Sequence, residues 1–136
     1  MRMDTELFLD MLKIDSTSGK EVGLADFLAE RLLTPHCRVE KFDVGDGTVN
    51  LLFSWGKPEV VFCSHLDTVP PYIPPTKEGD IVKGRGSCDA KGQIFAMWEA
   101  CKALETQGCT DFGLLLLAGE ETGSFGAKAS KRAKID

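Results

Sequence analysis

Apolar residues in the first part of the chain recur at helical spacing. Leu7, Phe8, Met11 and Leu12 share one face of a helix predicted over residues 5–12, and Leu24, Phe27, Leu28 and Leu32 do the same over 21–33. The polar stretch "DSTSG" separates the two, with Ser18 or Gly19 placed to open the second helix and Pro35 to stop it. The period then shortens. Val39, Phe42 and Val44 alternate imperfectly over 38–44 and predict a strand, "GDG" predicts a turn, and 50–55 and 59–64 predict two more strands around Gly56 and Pro58. The second of these is nearly all apolar, as a strand covered on both faces would be. Residues 66–78 hold Pro70, Pro71, Pro74 and Pro75 and read as a loop, 80–83 as a short strand, and "GRGSCDAKG" as a glycine-rich loop. A helix is predicted over 92–107, with Ile94, Met97, Trp98, Cys101 and Leu104 as its core stripe. "FGLLLLA" at 112–118 is another buried strand, and 126–134 reads as a solvated helix. With no repeat, low-complexity tract or linker, this order predicts one α/β domain, a layered mixed sheet flanked by helices.

Composition narrows the range of functions. The 136 residues suffice for one core, and 43% hydrophobic with 27% charged residues is ordinary for a globular protein. A net charge of -5 argues against a nucleic-acid partner and against a polybasic membrane anchor, and it leaves carboxylates to gather around a cation. Asp4 and Glu6 interrupt the apolar stretch a signal peptide needs, and no run is long enough to span a bilayer. The five cysteines are odd in number and form no C-x-x-C pair. They read as free thiols of a cytoplasmic protein, with Cys63 and Cys101 as small core residues.

Three acidic loops remain: His65-Leu66-Asp67, Cys88-Asp89-Ala90-Lys91 and Gly119-Glu120-Glu121-Thr122. The first and third follow buried strands, and the second lies between a short strand and a helix. Ligands of open α/β sheets gather beyond the carboxyl ends of the strands, so the three segments can meet there. Imidazole and carboxylate are good zinc ligands. Asp67, two residues from His65 on an extended chain, is better placed to orient the imidazole than to bind metal, and Asp89 is a candidate to bridge two metals. Glu120 and Glu121 diverge, so one can bind metal while the other moves a proton. Singly, each residue reads as a surface histidine, a turn former or a helix-dipole complement, and only the combination points to a metal site. "GRGSCDAKG" fails both as G-x-G-x-x-G and as a P-loop, because Asp89 stands at the last glycine position and Lys91 precedes Gly92.

The segments "SHLDTVPP", "GRGSCDAKG" and "AGEETGSFGAK", in this order and spacing and preceded by "STSGKE", resemble the M20 metallopeptidase family of deacylases, dipeptidases and carboxypeptidases. The resemblance implies a zinc-peptidase-like fold and a two-zinc amidohydrolase, with cobalt as an alternative metal. It implies that His65 binds one zinc, Asp89 bridges both and Glu121 binds the other. Asp67 then orients His65, and Glu120 acts as general base, taking a proton from water and returning it to the leaving amine. It further implies a cis peptide between Asp89 and Ala90. "PPYIPP" and "GEETGSFGAK" look most like the acetylornithine deacetylase branch, which implies removal of an acyl group from a small amino acid in arginine biosynthesis. Desuccinylases and dipeptidases or carboxypeptidases are the neighbouring alternatives.

The resemblance also calls for an acidic ligand beyond the Glu pair, a histidine near the far C-terminus, and an inserted domain through which family members form homodimers. The sequence ends at Asp136 and its other histidine, His36, reads as a surface residue. The expectation is therefore the N-terminal portion, residues 1–136, of a truncated catalytic domain with two protein ligands per zinc. Two further readings are a metal- or partner-binding fragment without catalysis and a thiol protein using Cys63 and Cys88.

Overall fold

The computed structural model describes residues 4–133. Helix α1 spans Thr5–Leu12, and the Asp4 carboxylate caps it by accepting from the Leu7 N–H at 3.0 Å. Helix α2 spans Val22–Arg31. Its first turn follows Glu21, whereas Ser18 and Gly19 belong to the preceding turn and do not cap the helix. The strands are β1 (Arg38–Gly45), β2 (Thr48–Trp55), β3 (Val60–His65), β4 (Thr76–Glu78), β5 (Ile81–Lys83) and β6 (Phe112–Leu117). Helix α3 spans Lys91–Thr106, and a single 3₁₀ turn, Glu120–Thr122, precedes α4 at Phe125–Ala133. The last residue of the expected final helix, Lys134, lies outside the described residues.

β1, β2, β6 and β3 form one sheet in that order. The pairs β1–β2 and β2–β6 are antiparallel, and β3–β6 is parallel, so the sheet is mixed. A parallel pair needs a crossover, and α3 supplies it between β3 and β6. The Pro-rich segment carries an element not visible in its composition: β4 pairs with β5 in a separate antiparallel hairpin.

The core joins Leu51 and Phe53 of β2 and Leu114 and Leu116 of β6 to Leu7 and Met11 of α1, Leu24 and Leu28 of α2, and Ile94 and Trp98 of α3. The expected α3 stripe is borne out, with Cys101 buried and Met97 and Leu104 packed at its margin. β3 departs from expectation. Among the described residues it pairs with β6 alone and forms the sheet edge, leaving Val60 60% and Val61 38% exposed. Phe62 packs on the core, while Cys63, pointing the other way along the pleat, is exposed and is not a core residue.

Asn50 ties the far end of β2 to the loop that carries the acidic pair. Its fully buried amide donates from Nδ2 to the Gly126 carbonyl at 2.8 Å and accepts at Oδ1 from the Ala118 N–H at 2.9 Å. Any Cβ on Gly126 would collide with the Ala118 carbonyl, so glycine is required where α4 approaches β6. Replacing Asn50 with Ala leaves the buried Ala118 N–H unpaired. The expected loss is about 1–3 kcal/mol in chemical unfolding, and a change below about 0.5 kcal/mol would contradict this role.

Candidate functional site

His65 ends β3, and Asp67 follows it into a short extended segment. This segment lies against the "STSG" stretch. Thr17 and Thr68 form a parallel bridge, the Thr68 N–H donates to the Ser16 carbonyl at 3.1 Å, and the Ser18 N–H donates to the Thr68 carbonyl at 3.0 Å. Asp89 precedes α3, across the Asp89–Ala90 peptide, which is cis. Glu120 and Glu121 occupy the 3₁₀ turn beyond β6. The parallel β3 and β6 run to the same end of the sheet, which brings the first and third loops together.

Asp67 is fully buried and binds each neighbouring segment. Its Oδ1 accepts from the Glu120 N–H at 3.0 Å, and its Oδ2 accepts from the Glu121 N–H at 3.0 Å and from the Ser18 hydroxyl at 2.6 Å. His65 Nδ1 lies 2.8 Å from the Asp67 main-chain oxygen and 3.3 Å from Oδ1. Both oxygens can only accept, so Nδ1 carries the proton and Nε2 faces the acidic cluster. Nε2 lies 2.9 Å from Asp89 Oδ1 and 3.7 Å from Glu120 Oε2.

One donor atom each from His65, Asp89 and Glu121 lies within 4.8 Å of the other two. The structure thus brings together the three residues expected to bind metal, with Asp67 behind the imidazole and Glu120 beside it. The donor set fits a divalent ion. Among the described residues, His65 is the basic group that pairs with Asp67, Asp89 and Glu120. The buried Lys91 instead donates to the Met11 and Ile14 carbonyls, at 2.9 and 2.6 Å. Glu121 is pushed above the usual carboxylate range by burial and by repulsion from Glu120 and Asp89. A cation would relieve that repulsion.

Ser18 and Glu21 are part of this assembly, although in the sequence Ser18 reads as a helix opener, Glu21 as the first residue of the second helix, and "STSGKE" as a family likeness. The burial of Glu21 becomes visible only once Gly119 is brought against it. The cysteines offer less. Cys63 and Cys88 are exposed free thiols, and His36 is an exposed surface residue as expected.

The model of "Peptidase family M20/M25/M40" matches residues 61–133, which hold all three acidic loops. This chain belongs to peptidase family M20/M25/M40. The M20 chain is 39% identical over 132 residues to a peptidase M20 domain-containing protein of Schizosaccharomyces pombe, covering 90% of this chain and 33% of that protein. It is 34% identical over 137 residues to a protein of Aspergillus clavatus named "Probable carboxypeptidase", covering 86% and 32% respectively. The M20 chain therefore spans about a third of the length of these curated relatives. Its structure is similar to that of a Staphylococcus aureus tripeptidase, with TM-score 0.82, 26% identity, and coverage of 97% of this chain and 40% of that one. Human carnosine dipeptidase 1 shares the fold, with TM-score 0.81, 20% identity, and coverage of 96% and 35%.

The electrostatics give a test without metal. The Asp67 hydrogen bond raises the His65 pKa to about 9, against burial and with help from Asp89. Burial opposes ionisation of Asp67, but hydrogen bonds from His65, Ser18 and the Glu121 and Glu120 amides outweigh it and hold its pKa at about 2. The His65 contribution to stability is fully present below its ordinary value of 6.5 and is lost as pH rises through about 9. The Asp67 contribution is present above 3.8 and is lost as pH falls through about 2. In chelator-treated protein, the His65 ring resonance should titrate near 9, whereas a midpoint near 6.5 would contradict the pairing with Asp67.

Proposed function

We propose that this chain forms the N-terminal part of the catalytic domain of a zinc-dependent amidohydrolase that cleaves short peptides. The observation that supports this reading is the convergence of His65 Nε2, Asp89 and Glu121, with the imidazole already oriented by Asp67. His65 and Asp89 would hold one ion and Asp89 and Glu121 a second, with zinc or cobalt suiting the donors. A bound ion supplies Lewis-acid polarisation of the scissile carbonyl. Asp67 keeps the Nδ1 proton in place, which leaves Nε2 free to act as a ligand. Glu120 is less enclosed, with its side chain 46% exposed, and stands beside the ligand set. It takes the proton of the attacking water and delivers it to the departing nitrogen, so the products are a carboxylate and a free amine.

The relatives described above are named for peptidase chemistry, which favours a short peptide as substrate. An N-acyl amino acid, as in an acetylornithine deacetylase-like enzyme, is the second reading, carried by the likeness of "PPYIPP" and "GEETGSFGAK" to that branch. Both substrates present one amide bond beside a free carboxylate. The remaining metal ligands and the homodimer belong to the same proposal for the longer protein.

Two substitutions test the roles. In the completed enzyme, Glu120→Gln should abolish metal-dependent release of amine from dipeptides and N-acetyl amino acids while bound zinc, measured by metal analysis, is retained. Loss of zinc in this variant would show that Glu120 is a ligand. Asp89→Asn should weaken binding of both ions, and retention of either ion at full affinity would overturn the bridging role.

A further inference from the structure

Glu21 is the other buried carboxylate beside the site, only 1% exposed. Such a group needs partners that compensate its lost hydration. Glu21 finds them in two backbone amides. One oxygen accepts from the Gly19 N–H, within its own turn, and Oε2 accepts from the Gly119 N–H at 2.9 Å. Gly119, at φ 67°, begins the turn that carries the acidic pair. Three consecutive N–H groups, of Gly119, Glu120 and Glu121, thus point at two buried carboxylates of this chain, Glu21 and Asp67. Packing contributes little on one flank, where a cleft of about 480 Å³ is lined by Ser18, Gly19, Glu21, Gly119 and Thr122.

We propose that Glu21 is a positioning residue which, by clamping the Gly119 amide to the Ser18–Gly19 turn, holds the Glu120–Glu121 turn in register with His65 and Asp89. Asp67 fixes the amides of Glu120 and Glu121 and Asn50 fixes the Ala118 amide before the turn, which leaves the Gly119 amide at its entry to Glu21. Glu21 fixes that entry and anchors it to the segment whose Ser18 already holds Asp67. The consequence for metal binding rests on the function proposed above, whereas the clamp itself does not.

The test replaces Glu21 with Gln, which keeps size but sets an amide group against one of the two N–H donors. Glu105→Gln serves as a control. Glu105 lies at the other end of the sheet and accepts from Trp55 Nε1 at 2.7 Å. Amide hydrogen exchange should show Gly119 and Glu120 protected in the unsubstituted chain. Glu21→Gln should abolish the Gly119 protection while β2 and β6 keep theirs, and it should weaken zinc binding about 10–100-fold, as lost support of a ligand does. Glu105→Gln should lower the melting temperature without either effect. If Glu21→Gln folds and keeps the Gly119 protection, the clamp is refuted. If that variant does not fold, an unprotected Gly119 amide in the unsubstituted chain refutes it equally, and a protected one upholds it. Loss of protection with unchanged zinc affinity would refute the positioning role. Failure of the unsubstituted chain to take up zinc would count against the proposed function, and the exchange result would still decide the clamp.

Discussion

The ionised carboxylate of Asp67 is the constraint on which the site depends. It lies out of contact with solvent and is kept charged by donors from three separate stretches of chain: the Ser18 hydroxyl, the His65 imidazole, and the amides of Glu120 and Glu121. An unsatisfied buried carboxylate would be costly, so each donor is held where the carboxylate needs it. A polar N-terminal turn, the tip of an edge strand and the turn beyond a core strand are thereby fixed relative to one another. The sheet brings these segments to one end, and Asp67 sets their detailed arrangement.

The rigid parts of the fold support this arrangement. β2 and β6 are buried in the core, and Asn50 couples β2 to the start of α4 just beyond the acidic turn. Of the clustered side chains Asp89 is the more open, 68% exposed against 13% for His65. An exposed carboxylate on a firmly held backbone can rotate toward an ion without disturbing the core. The charge balance agrees, because Asp89, Glu120 and Glu121 crowd around a single imidazole while Lys91 is committed to main-chain carbonyls.

Much of this is legible in the sequence where a residue's role is local. Helical spacing locates α1 and the α3 stripe, and the apolar run locates β6 as a core strand. His65, Asp89 and Glu121 stand out only together, as members of acidic loops beside two buried strands and the start of a helix, since each alone has an ordinary reading. Expectation fails where the partner is distant in sequence. β3 reads as a covered strand, and among the described residues it has one neighbour, β6. Cys63 reads as a core residue, and in this chain it is exposed. Glu21 resembles an ordinary helix-start acid until Gly119, 98 residues along the chain, is seen against it. Of the β4–β5 hairpin the pattern marks only β5, expected as a short strand over 80–83, because the three residues of β4 are too few to show a period inside the Pro-rich segment.

The most direct test of this account is zinc binding to the purified chain and to an Asp67→Asn variant, by competition with a chelating indicator at neutral pH. Asparagine has the same shape but presents an amide where the Ser18 hydroxyl or a turn N–H must donate. The account predicts zinc uptake by the unsubstituted chain and an affinity about 10–100-fold lower in the variant, with cooperative unfolding of the sheet preserved. Equal zinc affinity in both proteins, or no uptake by the unsubstituted chain, would contradict it.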